Sequence, residues 1–437
     1  MKRLAVYSHV PVGDTMSSPG IRAYRISEAL APDFDVTLIT PSAPALECPG
    51  VTMQGAPATP GALAATLRGF DVVVAQKLPA GTARELGRDG PRLVYDLYTP
   101  SLPEGLASLA AEGGGTHARL MVDAETNAQL VALATGDAFV CTSERQRDFW
   151  LGGLASLGLI DIHAFRRDPT LRNLVDVVPF GLAPTRPVAH GPVLKGVVPG
   201  IGLDDHVLLW AGGVLNWTDA ETPIRAVAEL AQRRSDVKLF FLGFDEETEA
   251  AKRAADLAAE LGVTGESVFF GDGWIPYEER GSYLLETDIG VAAYYDILEA
   301  RFAFRARLLD YVWAELPMIT TGTDVLGELV ARRGLGRAVA EHDLAGWVSA
   351  IEELLGEDER TRAVENLRRI RPELEWSRVV EPLRRLASEP GKSSRRTPLA
   401  LALRDAALRA RISYGMRGPA GLLRRQADRA FGPLARR

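Results

Sequence analysis

Residues 299–321 read EARFAFRARLLDYVWAELPMITT, which joins a charged segment, an amphipathic segment and an apolar segment. The spacing of the apolar residues predicts a helix over residues 305–314, and a short strand is predicted over residues 318–321. Guanidinium groups and helix N–H groups bind phosphate oxygens, whereas carboxylates bind sugar hydroxyls. The stretch therefore favours a site for a phosphorylated ligand rich in hydroxyl groups. The alternative is a solvated, salt-bridged helix start.

Short apolar segments alternate with helical patterns on both sides of this stretch. Apolar strands separated by helices indicate a parallel sheet covered on both faces. Residues 179–200 are rich in Pro and Gly and interrupt this alternation, which restarts at Val207. The sequence therefore predicts an α/β protein of two doubly wound, Rossmann-like domains, with ligands bound in a cleft between them. Strands are predicted over residues 4–7, 36–39, 72–75, 93–95, 138–141, 175–178, 207–210, 237–242, 268–270, 289–293 and 318–321. Helices are predicted over residues 20–30, 118–134, 221–233, 246–261, 305–314, 343–355 and 377–387.

The composition is that of a globular protein, with 437 residues of which 46% are hydrophobic and 24% charged. Cys48 and Cys141 are the only cysteines, so a disulfide framework or a zinc site is not expected. No apolar run approaches the roughly 18 residues that cross a bilayer. The start, MKRLAVYSHV, predicts a strand and not a signal peptide. We therefore expect a cytoplasmic protein.

Charge is distributed unevenly along the chain. The formal net charge is −7, but residues 392–437 contain twelve Lys or Arg and two Asp, a net of +10, which leaves −17 for the remainder. A basic segment with a weak amphipathic pattern predicts peripheral contact with the inner face of the cell membrane. A disordered tail, or a helix docked on the acidic body, is the alternative. Aromatic residues are sparse in this segment, so nucleic acid is not an expected partner.

Several longer motifs, taken in order, resemble one known family. The second domain contains LLWAGGVLNWTDAETPIRAVAEL from Leu208, KLFFLG from Lys238, VFFGDGWIPYEERGSYLLETDIGVAA from Val268 and LLDYVWAELPMITT from Leu308. The first domain contains SSPGIRAYRISEAL, VCTSERQRDFW and VVPFGL. Together these segments resemble the GT-B glycosyltransferases, and most of all retaining family 4 (group 1), over residues 1–388.

The resemblance implies an acceptor domain over residues 1–183, a nucleotide-sugar donor domain over 184–372, a helix crossing back to the first domain over 373–390, and a basic tail over 391–437. It also implies transfer of a hexose-type sugar from a nucleotide-diphosphate sugar to a hydroxyl acceptor, in bacterial polysaccharide or glycosylated metabolite biosynthesis. A lipid-linked acceptor would explain the basic tail. No cofactor or metal is expected, and the donor phosphate would help to accept the acceptor proton.

In the donor domain the resemblance assigns ribose binding to Asp310, which stands at the second position of a paired-Glu motif. Phe302 occupies the first position, so Glu299, the nearest carboxylate, becomes the candidate for donor-sugar contact and catalysis. The family's basic pair for the diphosphate falls on Gly213 and Thr218, and arginines of the quoted stretch are the predicted replacements. The predicted donor-binding residues here are Gly212, Gly213, Asn216, Trp217, Gly273, Trp274, Ile275, Arg301, Arg305, Arg307 and Asp310.

In the first domain, Gly20 opens a predicted helix whose N–H groups would face the donor diphosphate, and Arg22 lies in its first turn. A tight strand-to-helix turn would need the same glycine. His9 and Asp96 follow or end strands and are therefore expected at the cleft. Both are catalytic candidates, and Asp96 would orient or deprotonate the acceptor. Two other functions stay open. One is a nucleotide-sugar epimerase of the same fold, and the other is a catalytically silent homologue, which the missing basic pair favours.

Overall fold

The computed structural model describes residues 1–390 except 43–45, 112, 114 and 247, together with residues 407, 410 and 411. The basic tail predicted over 391–437 lies, apart from those three positions, outside the described residues. The described chain forms two parallel sheets of seven and six strands, each covered by helices. The predicted fold class is therefore confirmed.

The first sheet has the strand order β3-β2-β1-β4-β5-β6-β7. Its strands are β1 Arg3–Tyr7, β2 Asp35–Thr40, β3 Val51–Gly55, β4 Val72–Ala75, β5 Arg92–Asp96, β6 Ala138–Cys141 and β7 Val175–Val177. Its helices are α1 Ser18–Leu30, α2 Pro60–Leu67, α3 Ala80–Asp89, α4 Ser101–Ala111, α5 Thr116–Thr135, α6 Glu144–Ser156 and α7 Ile162–Arg167.

The second sheet has the order β10-β9-β8-β11-β12-β13. Its strands are β8 His206–Ala211, β9 Val237–Leu242, β10 Val268–Phe270, β11 Ile289–Ala292, β12 Met318–Thr321 and β13 Gly336–Val339. Its helices are α8 Glu221–Ala231, α9 Glu249–Glu260, α10 Arg280–Leu285, α11 Leu298–Phe302, α12 Ala306–Trp313, α13 Val325–Arg333, α14 Leu344–Leu355 and α15 Glu357–Ile370. Helices α16 Trp376–Val379 and α17 Glu381–Ser388 follow, and single 3-10 turns lie at Tyr277–Glu279 and Arg371–Leu374.

The strand orders determine where ligands can enter. The chain reverses its direction of travel across the first sheet between β1 and β4, and across the second between β8 and β11. Helices on either side of such a point leave a crevice beyond the carboxyl ends of the two strands. These central strands are apolar because both faces are covered, and all four residues of β4 and of β11 are buried.

Two differences between the predicted and the observed elements have a clear physical reason. Edge strands β3 and β13 were not predicted, because both are partly exposed and lack a continuous apolar run. The helix predicted over residues 377–387 is two short helices, α16 and α17, since Pro382 at the start of α17 has no N–H to continue the first helix.

Helix α17 lies on strands of the first domain and α16 contacts α1 of the same domain, whereas the preceding α15 packs on α14 of the second domain. Its Arg384 pairs with Asp33 at 2.7 Å, and its Arg385 pairs with Asp176 at 2.6 Å. Lys2 donates to the carbonyl of Ser388 at 2.7 Å. The end of the described body therefore ties the two domains together.

Candidate active site

A cavity of about 600 Å³ lies between the two domains, at the carboxyl ends of both sheets. Its first-domain wall comes from the segments after β1, β4 and β5 and from α5. Its second-domain wall comes from the turns after β8, β9 and β11 and from α12. The cavity thus occupies the two crevices that the strand orders create.

The turn after β8 brings backbone and one arginine together. Gly212 has φ +104°, a conformation that favours glycine, and a Cβ there would lie 3.6 Å from Arg307. Arg307 lies in the first turn of α12 and donates from Nη2 to the carbonyl of Gly213 at 2.8 Å. Its Nη1 is buried and has no hydrogen-bond partner within the described chain. An unpaired guanidinium N–H beside an open glycine turn suits a phosphate oxygen.

Arg305 precedes α12 and is buried against Glu299. Its Nη1 and Nη2 donate to the two carboxylate oxygens at 2.8 and 2.6 Å, and its guanidinium lies 3.9 Å from the ring centre of Tyr294. Nε has no hydrogen-bond partner among the described groups and lies 3.9 Å from Asp324 Oδ2. Arg305 lines the cavity, whereas Glu299, 3% exposed, lines only a small neighbouring cavity. Glu299 is thus placed to orient Arg305.

Asp310 lies on the cavity wall one helical turn beyond Arg307. Burial raises the pKa of its carboxyl group, and the charge of Arg280 opposes that shift. Arg280 Nε lies 3.4 Å from Asp310 Oδ1, and its guanidinium stacks 3.6 Å from the ring centre of Tyr277 and 4.5 Å from that of Trp313. The predicted ribose-binding carboxylate therefore has an arginine partner that the sequence did not reveal.

Of the other donor-binding residues predicted in the second domain, some line the cavity and some do not. Trp217, Trp274 and Ile275 line the cavity, and Trp274 is 58% exposed at its rim. Gly273, at φ +64°, donates to the carbonyl of Phe244 at 3.2 Å and shapes the loop without lining the cavity. Asn216 and Arg301 also do not line it, although Asn216 Oδ1 is buried without a hydrogen-bond partner in the described structure. Arg301 is exposed.

In the first domain, Arg22 lies behind the cavity wall. It is fully buried, donates from Nε and Nη2 to Asp96 at 2.7 and 2.9 Å, and also donates to the carbonyls of Val178 and Pro179. The helix begins at Ser18 and not at Gly20, and neither Gly20 nor Arg22 lines the cavity, contrary to the expectation that both meet the donor. Asp96 lines it, but both of its oxygens are held by Arg22.

His9 follows β1 and lines the cavity, as expected from its position after a central strand. Burial, together with a smaller contribution from the charge of Lys77, lowers the pKa of His9 to about 4. The imidazole is therefore neutral near pH 7. Its Nδ1 is buried and has no hydrogen-bond partner in the part of the chain that the structure describes.

Comparison with known proteins identifies the second domain. Residues 205–357 match the family model described as "Glycosyl transferases group 1". The match lies within the second domain. No curated protein matches the sequence. The likeness predicted from the motifs is thus confirmed at the level of group 1, which makes the chain a glycosyltransferase.

Solved structures show the same architecture for the whole body. Sucrose-phosphate synthase from Thermosynechococcus elongatus has a TM-score of 0.61 and 16% identity, over 88% of this chain and 98% of its own. WaaG, a glycosyltransferase of lipopolysaccharide biosynthesis, has a TM-score of 0.61 and 17% identity, over 89% of this chain and 100% of its own. HepE from Anabaena, in complex with UDP, has a TM-score of 0.58 and 13% identity, over 89% and 100%. At these identities the likeness establishes the GT-B fold.

The glycosyltransferase has further cavity residues that sequence reasoning missed. Lys77 pairs with Glu125 at 2.8 Å on the first-domain wall, and Glu104 lies beside them at the start of α4. Lys77 could have been predicted to line the cavity, because it comes just after the central strand β4, as His9 comes just after β1. Glu125 lies within α5, where its position in the sequence carries no such signal.

The described part of the glycosyltransferase contains no cluster of three or more His, Cys, Asp or Glu side chains that would hold a metal ion. Within the same residues, no helix has the length and apolar character needed to cross a membrane. Cys48 and Cys141 are buried and unbonded to one another.

Proposed function

We propose that this protein transfers a sugar from a nucleotide-diphosphate sugar to a hydroxyl group of an acceptor, with retention of the anomeric configuration. The observation that carries the proposal is Arg307, whose buried Nη1 lacks a partner in the described chain while its Nη2 holds the glycine turn after β8. A buried cationic donor without an acceptor is costly unless an anion completes it. The diphosphate of a nucleotide sugar supplies that anion.

In this proposal Arg305 and Arg307 bind the diphosphate and stabilise the negative charge that it gains as the sugar leaves. Asp310 accepts hydrogen bonds from the ribose hydroxyls, and the loop bearing Trp274 and Ile275 contacts the base. Glu299 fixes the orientation of Arg305, so that its charge is in place before the reaction begins. Preorganised charge of this kind needs no reorganisation during the chemical step.

The two guanidinium groups supply the positive charge for the leaving diphosphate, so the proposal includes no metal ion. Activity is accordingly expected to persist in excess chelator. Because HepE binds UDP and UDP-glucose, uridine nucleotides are the first donors to examine.

The acceptor is proposed to belong to bacterial surface polysaccharide or glycosylated metabolite assembly, as in the lipopolysaccharide pathway named for WaaG. The net charge of +10 over residues 392–437 supports peripheral contact of a cytoplasmic protein with anionic lipid, at about 1 kcal/mol per cation near the surface. A lipid-linked acceptor fits such contact.

The test is incubation of the protein with a panel of nucleotide sugars and candidate acceptors, followed by measurement of released nucleotide and of the product. Release of one nucleotide per sugar transferred, with the anomeric configuration retained, is expected. An isomerised nucleotide sugar without transfer would instead indicate an epimerase. Binding of nucleotide without release from any donor would indicate a silent homologue.

A further inference from the structure

Arg280 lines the second-domain wall of the cavity at the start of α10. Two aromatic rings enclose its guanidinium group, with the ring centre of Tyr277 at 3.6 Å and that of Trp313 at 4.5 Å. Nη1 donates to the carbonyl of Tyr277, and Nε lies 3.4 Å from Oδ1 of Asp310. The rings and the carbonyl therefore fix the plane of the guanidinium group and direct its Nε edge at Asp310.

Arg280 is also the main counter-charge of Asp310. Burial raises the pKa of the Asp310 carboxyl group, and Arg280 opposes this shift more than Arg307 and Arg25 do. Arg307 is held by the carbonyl of the glycine turn after β8, and Arg25 pairs with a glutamate of its own helix. Arg280 thus favours the ionised carboxylate, in which both oxygens accept hydrogen bonds.

The spacing of Arg307 and Asp310 suits a nucleotide. Asp310 follows Arg307 by three residues on α12, so the two side chains are neighbours on one face of the helix, about 5–6 Å apart at Cβ. The ribose of a nucleoside diphosphate is bonded directly to the diphosphate. A ligand whose diphosphate meets Arg307 therefore brings its ribose hydroxyls to Asp310.

Contacts from the first domain hold Tyr277, and with it Arg280, in place. The backbone N–H of Tyr277 donates to the carbonyl of Asp14 at 2.8 Å. Arg25, on α1, donates from Nε and Nη2 to the Tyr277 hydroxyl group, each at 3.3 Å. The ring that stacks on Arg280 is thus fixed from both domains.

We propose that Arg280 is a positioning residue, which orients the carboxylate of Asp310 toward the 2′- and 3′-hydroxyl groups of the donor ribose and so makes the site selective for ribonucleotides over 2′-deoxyribonucleotides. This inference rests on the ribose contact that the proposed function assigns to Asp310. A ligand without the 2′-hydroxyl group leaves a carboxylate oxygen without its hydrogen bond, which weakens binding.

The first test measures the Kd of UDP, ADP and GDP and of their 2′-deoxy forms by isothermal titration. In the wild type, loss of the 2′-hydroxyl group should raise the Kd by about 10- to 100-fold, as for one hydrogen bond to a charged group. In Arg280→Met this ratio of Kd values should fall by about fivefold or more. Arg280→Lys keeps the charge without the planar fork and should recover part of the ratio. Arg332→Met, at an exposed arginine outside the cavity lining, is the matched control and should behave as the wild type.

The second test separates the ribose from the diphosphate by using uridine, adenosine and guanosine and their 2′-deoxy forms. A positioning role predicts that Arg280→Met lowers the ratio for nucleosides as it does for nucleotides. If Arg280→Met instead weakens both nucleotide forms equally and leaves the nucleosides unchanged, Arg280 binds the diphosphate and the inference is wrong. An equal loss for all of these ligands would show a structural role and would also overturn it.

The third test is a double-mutant cycle with Asp310→Asn. Because Arg280 acts through Asp310, the double variant should have the same ratio as Asp310→Asn alone. A further fall in the double variant would show that Arg280 contacts the ribose by itself, which contradicts a positioning role. If Arg280→Met does not fold, Arg280→Gln takes its place, and a wild-type ratio in that variant overturns the inference.

The outcome for the proposed function is read separately. A wild-type protein that binds no nucleoside diphosphate and releases none from any donor overturns the glycosyl transfer and this inference with it. A wild-type protein that transfers sugar, but binds the ribo and 2′-deoxyribo forms equally, overturns this inference alone.

Discussion

Each domain buries one arginine against one carboxylate, and the two pairs differ in what they leave unpaired. In the first domain, Arg22 is fully buried and donates to Asp96 and to two backbone carbonyls. In the second, Arg305 donates to both oxygens of Glu299 but keeps Nε without a hydrogen-bond partner among the described residues. Arg305 lines the cavity and Arg22 does not.

The difference indicates which pair is structural and which serves a ligand. Arg22 connects α1, the end of β5 and the segment after β7, and three aromatic rings of Tyr98, Phe180 and Trp376 surround its guanidinium at 5.5–5.8 Å. Arg22 therefore holds these three segments together behind the cavity wall. Arg305 has the same chemistry but lines the cavity, and we therefore propose that it serves an anionic ligand.

The largest effect is expected from removing the ion pair between Arg22 and Asp96. Arg22→Met should lower the free energy of unfolding by about 3–5 kcal/mol, because it leaves the buried Asp96 without a counter-charge. Chemical denaturation followed by circular dichroism measures the change. Arg301→Met, at an exposed arginine outside the cavity lining, is the control and should change stability by less than about 0.5 kcal/mol.

Nucleotide binding distinguishes a loss of stability from a loss of ligand affinity at the cavity. Folded Arg22→Met should be stabilised by added nucleoside diphosphate to the same extent as the wild type, since a ligand of the native state stabilises it according to its Kd. A stable Arg22→Met protein with weakened nucleotide binding would show that Arg22 serves the ligand, and the distinction between the two pairs would be lost.

A smaller effect is expected at the second-domain wall. Arg307→Ala should weaken binding of nucleoside diphosphate by about 1.5–3 kcal/mol, the range for a charged hydrogen bond. The affinity for the nucleoside without phosphate should be unchanged. Isothermal titration of both ligands into Arg307→Ala and into the control Arg332→Ala, which changes an exposed arginine outside the cavity lining, measures the difference. An equal loss for nucleoside and nucleotide would mean that the change disturbs the domain instead of removing a phosphate contact.

The strands at the centre of each sheet could be predicted from the sequence, and those at two edges could not. Interior strands β4, β6, β9 and β12 have the predicted limits, because strands covered on both faces are mostly apolar. Edge strand β10, VFF, also has its predicted limits, since all three of its residues are apolar. Strand β3, VTMQG, and strand β13, GRAV, lie at sheet edges and mix polar with apolar residues. Their pattern is set by position in the sheet, which a local sequence does not encode.

Site residues could be predicted from the sequence only where the topology of the sheet determines their position. Residues directly after central strands, such as His9 and Gly212, reach the cavity because topology alone puts them there. The partners of arginines come from distant segments, so the sequence did not show that Arg22 faces Asp96 or that Arg280 faces Asp310. The roles proposed for individual residues, including Glu299, stay predictions.

The smallest effect is expected at His9, a first-domain side chain predicted to be catalytic. Its native pKa of about 4 lies below the ordinary value of 6.5, so the imidazole is neutral from about pH 5.5 upward. His9→Gln replaces one neutral hydrogen-bonding group by another, and the acceptor KM should change less than about tenfold, as for one neutral hydrogen bond.

The lowered pKa of His9 also predicts how the stability of the wild type and of His9→Gln depends on pH. Because the native pKa of His9 is lower than the unfolded one, the unfolded state takes up the proton first as the pH falls from 6.5 toward 4. The wild type should therefore lose stability relative to His9→Gln over that range and not above it. Kinetics decide the role of His9. A loss of kcat of more than about 10²-fold in His9→Gln, the usual contribution of a general base, would show that the imidazole takes part in proton transfer.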